Sequence, residues 1–235
     1  MEIKLTKKVS SPKIIQGFPG FGLIGTITTE FLIEHLKAEK IGTFIYDELP
    51  ATVAVHKEKL VDPMAVFYDK EYNLIILHTI LNSVGLEWKL CDNIMKLSKD
   101  VDATEIISLE GVSSPQVTAS EKVFFFTENQ KTRDKLLKTG VEPLKESIIV
   151  GVSGALMLRS KIPLTCLFAE TKSEIPDSKA ASNIIKVLDD YLDLKVDYLP
   201  LLKQAEEFEQ KFKNIMKQSS QAAKDRDVKQ MSYFG

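Results

Sequence analysis

Cysteine, histidine and tryptophan are scarce in this 235-residue chain, at two, three and one residues. Cys91 and Cys166 each sit inside an apolar segment and read as small buried hydrophobes. So few cysteines exclude a disulfide-held secreted scaffold. His35, His56 and His78 are dispersed, and no Cys/His cluster has the spacing of a metal site. No apolar run approaches the ~20 residues of a membrane helix. The opening MEIKLTKKVSS is too polar for a signal peptide. Charge of one sign is also lacking: 31 Lys and Arg face 33 Asp and Glu, a formal net charge of −2. No whole-molecule field draws in nucleic acid or anionic lipid, and no Lys/Arg block is interleaved with aromatics. These absences predict a cytoplasmic protein without metal or cofactor, and without a nucleic-acid or membrane partner.

Hydrophobic residues make up 44% of the chain, enough for one sizeable core. Residues 13–17 (KIIQG) read as a short buried strand. The glycine-rich turn Gly17, Pro19, Gly20, Gly22 follows, and then Leu23, Ile24, Ile27, Phe31 and Leu36 recur at helical spacing up to about Lys40. Ile41 to Tyr46 is β-rich, so the first third predicts a βαβ unit. Segments 65–68 and 72–79 predict a hairpin around Asp69-Lys70-Glu71. Val84, Trp88, Cys91 and Met95 mark the buried stripe of a helix over about 84–99. Strands are predicted at 104–109, 123–127, 148–152 and 164–169. Helices are predicted through Leu136-Leu137 to a stop at Gly140, over Leu156–Leu158, and from an Asp177 N-cap through Leu192. Pro200 opens a last amphipathic helix with Leu202, Ala205, Phe208, Phe212 and Ile215 or Met216 on one face. The alternation predicts an α/β fold with a mixed, mainly parallel sheet flanked by helices. It also predicts one domain over 1–217 and a flexible tail over 218–235, too polar to hold itself, that nevertheless ends in Tyr233-Phe234-Gly235.

Three motifs invite a chemical reading. Gly20-Phe21-Gly22-Leu23-Ile24-Gly25 is a literal G-x-G-x-x-G after a strand, with Asp47 some twenty residues on. That is the pattern by which glycines admit a pyrophosphate and an acid holds a ribose hydroxyl. Against this stand Pro19 before the first glycine and Phe18 and Phe21, which crowd the phosphate approach. The favoured reading is a structural turn in which Gly17, Pro19, Gly20, Gly22 and Gly25 permit close helix–sheet packing. Gly151-Val152-Ser153-Gly154 approaches a nucleophile elbow but has Ala155 where that motif needs glycine. Glu110 and Glu170 each end a predicted strand, where open α/β sheets place ligands; neither receives a role on that ground alone.

GFPGFGLIGTITTEFLIEHL resembles the N-terminal motif of the proteasome assembly chaperone family, archaeal branch: a G-x-P-G-x-G-x-x-G turn before an amphipathic helix, matched by Gly17, Pro19, Gly20, Gly22 and Gly25. The resemblance continues at GVSGALMLRSKIPLTCLFAET, in the helix carrying Asp177, Ala180, Ala181, Ile185 and Leu188, and at Val196-Asp197. It covers roughly residues 10–217. It implies an α/β fold like that of nucleoside phosphorylases without their catalytic residues, and homo-oligomers or assembly with a second family member. It implies non-enzymatic binding to 20S proteasome α subunits, during assembly or as an ATP-independent activator. Some archaeal members end in a hydrophobic–Tyr–any motif that inserts between α subunits. Tyr233, Phe234 and Gly235 fit its spacing with Phe234 in the tyrosine place, which makes them the candidate partner-binding residues. The alternative is a nucleotide- or nucleoside-binding enzyme that uses Gly20–Gly25 and Asp47.

Overall fold

The computed structural model describes residues 1–48, 53–56, 58–113, 122–171, 176–197 and 214. The predicted helix over 201–216, apart from Asn214, and the whole 218–235 tail with Tyr233, Phe234 and Gly235 lie outside the described residues.

Among the described residues nine strands form one sheet: β1 (Glu2–Leu5), β2 (Lys13–Gly17), β3 (Glu39–Ile45), β6 (Met64–Asp69), β7 (Leu74–Thr79), β8 (Glu105–Ser113), β9 (Val123–Thr127), β10 (Glu142–Pro143) and β11 (Leu164–Thr171). β4 (Ala54–His56) and β5 (Lys59–Val61) make a separate antiparallel pair. The order across the large sheet is β1-β3-β6-β7-β2-β8-β11-β9-β10. Its four central strands, β7, β2, β8 and β11, run parallel. β6, β3 and β1 extend it antiparallel on one side. On the other side β9 pairs antiparallel with β11 and β10 parallel with β9. The sheet is mixed, as the hairpin at 64–79 required. Parallel strands need cover on both faces, and the runs Ile14-Ile15 and Leu74 to Leu77 are fully buried.

Among the described residues the cover comes from five helices: α1 (Ile24–His35), α2 (Glu87–Asp100), α3 (Gln130–Lys138), α4 (Gly151–Arg159) and α5 (Ser178–Leu192). Side chains alternate across a strand. Ile15, Ile76, Ile107 and Leu109 therefore pack with Ile24, Ile27 and Phe31 of α1 and Ala181, Ile184 and Leu188 of α5. Their neighbours Ile14, Ile75, Leu77 and Ile106 pack on the opposite face with Leu90, Cys91, Ile94 and Leu97 of α2 and with Val152, Ala155 and Leu156 of α4. Asp177 caps α5, accepting from the Ala180 amide at 2.9 Å, and α3 stops before Gly140 at φ +86. Among the described residues no helix is long and apolar enough to cross a membrane.

Several boundaries differ from the sequence reading. Residues 148–150 form no strand. β11 is already flanked by β8 and β9, so a strand there cannot pair with it, and Ile148 and Val150 stand 91% and 64% exposed. The outermost strand comes earlier, at Glu142–Pro143. The buried stripe of α2 is Leu90, Cys91, Ile94 and Leu97, whereas Val84 and Trp88 are exposed. The first βαβ unit is split: β6 and β7 lie between β2 and β3 in the sheet.

Candidate functional site

The carboxyl ends of the central parallel strands surround a cavity of about 480 Å³. This is where ligands bind in open α/β sheets. Gln16 and Phe18 enter it from β2, Leu109 and Glu110 from β8, Asn82 to Val84 from the segment after β7, and Gly151 to Ser153 from the start of α4. The segment from Pro19 to Phe21 forms its lip. Phe18, Phe21, Leu23, Val84, Val150 and Val152 supply apolar walls.

The glycine turn closes one side. After β2 the chain makes a single 3-10 turn at Phe21–Leu23, with Gly22 at φ 64 and Leu23 at φ 49. Two consecutive left-handed residues reverse the chain before α1 starts, and a left-handed leucine is a sparsely populated conformation. The Asp177 amide donates to the Gly22 carbonyl at 2.8 Å, which ties this turn to the cap of α5. Gly17 and Gly25 then face each other across the contact of sheet and helix. A Cβ on Gly17 would lie 2.1 Å from the Gly25 carbonyl oxygen, and one on Gly25 would lie 2.6 Å from that of Leu109. Gly20 is different. A Cβ there would meet only the Glu110 side chain, at 3.4 Å from Oε1.

The polar floor lies on alternate residues of two strands. The Gln16 amide nitrogen donates to the Ser108 hydroxyl, which lies 2.8 Å from the Ser153 hydroxyl of α4. Glu110 comes two residues after Ser108 on the same face. Burial lifts its carboxyl from the ordinary range to about 7, against the opposing hydrogen bond from Ser153. Glu110 Oε2 and Gln16 Oε1 are both occluded and find no partner among the described residues. Cys166 lies close enough on β11 for the Glu110 charge to reach it. Its thiol is pushed up to about 12, first by burial and then by that carboxylate. It therefore stays a neutral, inert group, and both cysteines are buried and free.

The placement of the other sequence candidates decides between readings. The dinucleotide fingerprint needs its acid beside the first strand. Asp47 instead follows β3, which β6 and β7 separate from β2. Three interstrand steps put it on the order of 14 Å to the side. Glu110, not Asp47, faces Gly20, and its carboxylate repels a phosphate there. Among the described side chains Ser153 has no histidine partner: His78 lies on the opposite face of the sheet, with its Nδ1 2.9 Å from Thr29 Oγ1 and its Nε2 3.1 Å from Glu30. Burial pushes the His78 pKa down to about 4. His35 stacks on Phe31. Among the described residues no three His, Cys, Asp or Glu gather as metal ligands. Glu170 ends β11 away from the cavity lining.

Of the two strand-end carboxylates that sequence reasoning noted without a role, Glu110 and Glu170, only Glu110 lines the cavity. Its signal was there: Ser108 and Glu110 interrupt an apolar strand at period two, on one face, near its carboxyl end.

A sheet with parallel strands at its centre, covered by helices on both faces and opening a glycine-lipped cavity at its carboxyl edge, defines a three-layer α/β protein. The chain belongs to the PAC2 family, whose model matches residues 14–216. It is similar to the crystal structure of Pyrococcus furiosus PbaA, described as an archaeal homolog of proteasome-assembly chaperone. The TM-score is 0.82 at 28% identity, covering 94% of this chain and 99% of that one. P. furiosus PbaB, described as an archaeal proteasome activator, shares the fold with a TM-score of 0.74 at 23% identity, covering 91% of this chain and 98% of that one. An uncharacterized protein of Methanocaldococcus jannaschii is 26% identical over 211 residues, 88% of this chain and 87% of its own length.

Proposed function

We propose that this protein is a non-enzymatic, cytoplasmic proteasome-associated factor. It binds 20S proteasome α subunits as an assembly chaperone-like factor or an ATP-independent activator, through its C-terminal Tyr233-Phe234-Gly235. The observation that carries the reading is family membership over residues 14–216 together with similarity, along nearly the whole chain, to a homolog of proteasome-assembly chaperone. The exposed apolar side chains Trp88, Val150 and Leu158, which line one shallow groove beside α4, support a protein-binding rather than an isolated life. The protein acts as a homo-oligomer, alone or with a second family member, so several weak tails on one ring gain avidity through effective concentration. Phe234 keeps the aromatic volume of a tyrosine and forgoes one hydroxyl hydrogen bond, a difference of about 1 kcal/mol per tail.

The test uses purified 20S particles from the same organism, the full chain, and a chain lacking Tyr233 to Gly235. The full chain is expected to bind, and the truncated chain to bind at least tenfold more weakly. Faster peptide hydrolysis on binding marks an activator; binding to free α subunits without faster hydrolysis marks an assembly role. Equal binding by both chains refutes the tail role, and no binding by either refutes the proteasome reading. The nucleotide-binding alternative has no supporting geometry at Asp47.

A further inference from the structure

We propose that the cavity at the carboxyl ends of β2 and β8 is a binding site for a small organic cation, an ammonium or amidinium head on an apolar body, with Glu110 as the anchoring carboxylate. This inference stands apart from the proteasome reading.

Among the described residues the lining carries two carboxylates, Glu110 on β8 and Glu87 at the start of α2, and no lysine, arginine or histidine. An anionic ligand would meet only like charge there. A bare metal ion is poorly served, because no three ligating side chains gather among the described residues. What the floor offers is acceptors in want of donors. Glu110 Oε2 and Gln16 Oε1 are both occluded, and neither finds a donor among the described residues. Gln16 is only 1% exposed and is held in place by its bond to Ser108. A buried acceptor left unmade costs its full desolvation penalty, and a ligand that brings an N–H donor to the Glu110 carboxyl removes that penalty there.

The space around Glu110 is shaped for such a head. Glycine stands on both sides of its carboxyl: a Cβ would come 3.4 Å from Oε1 at Gly20 and 3.6 Å at Gly151. Any other residue would narrow the approach to the oxygen. Beyond the head, Phe18, Phe21, Val84 and Val150 provide an apolar sleeve. A volume of about 480 Å³ has room for roughly 15 water-sized groups, which suits a whole small molecule better than the tip of one side chain. Among the described residues the charged and titratable groups at the cavity with Glu110 are Glu87 of its lining and the nearby Cys166 thiol, and the thiol stays neutral through the working range. Burial makes Glu110 hold its proton to near pH 7, and an ion-paired cation must displace that proton. Affinity therefore rises with pH and levels off above 7.

The experiment is titration calorimetry on the full-length protein with benzamidine and phenethylamine. The matched anion benzoate and the neutral benzyl alcohol serve as comparisons, with the capped peptide acetyl-Gly-Lys-Gly-amide as the protein-borne ammonium. The two amines are expected to bind at millimolar or better affinity and the anion and alcohol not to. Benzamidine affinity is expected to fall on the order of 100-fold from pH 8 to pH 5, following Glu110 ionisation. Glu110→Gln is expected to weaken benzamidine at least 10-fold at pH 8 and to flatten the pH dependence. Gly20→Ala, whose methyl meets only Glu110, is expected to weaken it several-fold in a protein that folds normally. No amine binding at 10 mM, benzoate binding as well as benzamidine, tighter binding of the peptide, or a pH dependence that survives in the folded E110Q protein would each overturn the assignment.

Discussion

The two glycines that bring α1 down onto the sheet should be among the least replaceable residues in the chain, and Gly20, three residues from Gly17, among the more replaceable. A methyl on Gly17 would sit 2.1 Å from the Gly25 carbonyl oxygen, about 1.3 Å inside the 3.4 Å where ordinary contact begins. The obstructing atoms are backbone on one side and Thr29 Cγ2, at 2.8 Å, on the other. Neither can rotate away, so the helix must lift from β2. Forcing an extra carbon into a packed interior costs about 1–3 kcal/mol where side chains can adjust. Backbone against backbone places Gly17→Ala at or above the top of that range, about 3 kcal/mol. For a chain of this length each kcal/mol lowers Tm by about 2–4 °C, so a fall of about 6–12 °C is expected. Gly25→Ala, with its nearest atom at 2.6 Å, should fall in the same range. Gly20→Ala has only the Glu110 side chain to meet and an extended backbone at φ −154, and should change Tm by no more than about 2 °C. The assay is differential scanning calorimetry with urea unfolding to confirm a single transition. Equal Tm values for Gly17→Ala and Gly20→Ala would refute the packing argument.

Three further outcomes follow from the buried polar groups. Glu110 titrates near 7 in the folded chain, against an ordinary 4.5. The native state thus keeps a proton that the unfolded chain has released, and the associated stability, present below pH 4.5, is lost as pH rises through 7. The loss is about 2 kcal/mol after allowance for partial exposure of the carboxyl. Urea midpoints of Glu110→Gln should therefore exceed those of the parent at pH 8 and converge with them at pH 5. Tyr191→Phe removes the hydroxyl that donates to Glu105 at 2.8 Å and leaves a 2%-exposed carboxylate with Lys13 and Thr165; a loss of about 2 kcal/mol in urea unfolding is expected. Asp177→Ala removes both the α5 cap and the acceptor for Thr171 at 2.8 Å, and should cost about 1–2 kcal/mol by the same measurement.

Most of the layer architecture was legible because each central element carries its own period. Leu74 to Leu77 is too continuously apolar for anything but a strand covered on both faces. Asp177 and Gly140 mark helix ends by side-chain and backbone chemistry that acts locally. What escaped depended on partners distant in the chain. Ile148 to Val150 has strand composition, but β11 is already flanked on both sides. Ile3 and Leu5 are too few to announce β1, which exists because β3 offers an edge. The phase of the α2 stripe was misread because Trp88 and Val84 look like core residues, whereas that end of the helix overhangs the cavity. The site divided in the same way. The glycine turn was visible as a motif, but its meaning depended on which carboxylate faced it. That is Glu110, brought across from a strand about ninety residues later, and not the Asp47 that sequence spacing offered.

The split between β2 and β3 has a consequence for the order in which the chain can assemble. Both neighbours of β2 in the sheet, β7 and β8, come after it in sequence, and the Gln16–Ser108 bond closes a span of 92 residues. The first strand of the central set therefore has no parallel neighbour until β7 is made, about a third of the way along the chain, and its second edge stays open until β8, nearly half-way. During synthesis Ile14 and Ile15 wait as an exposed apolar pair, and α1 has no completed surface to lie on. Closing such long loops is slow relative to local structure. A sheet begun near its own midpoint is thus most vulnerable to wrong partners on the ribosome, before β8 emerges.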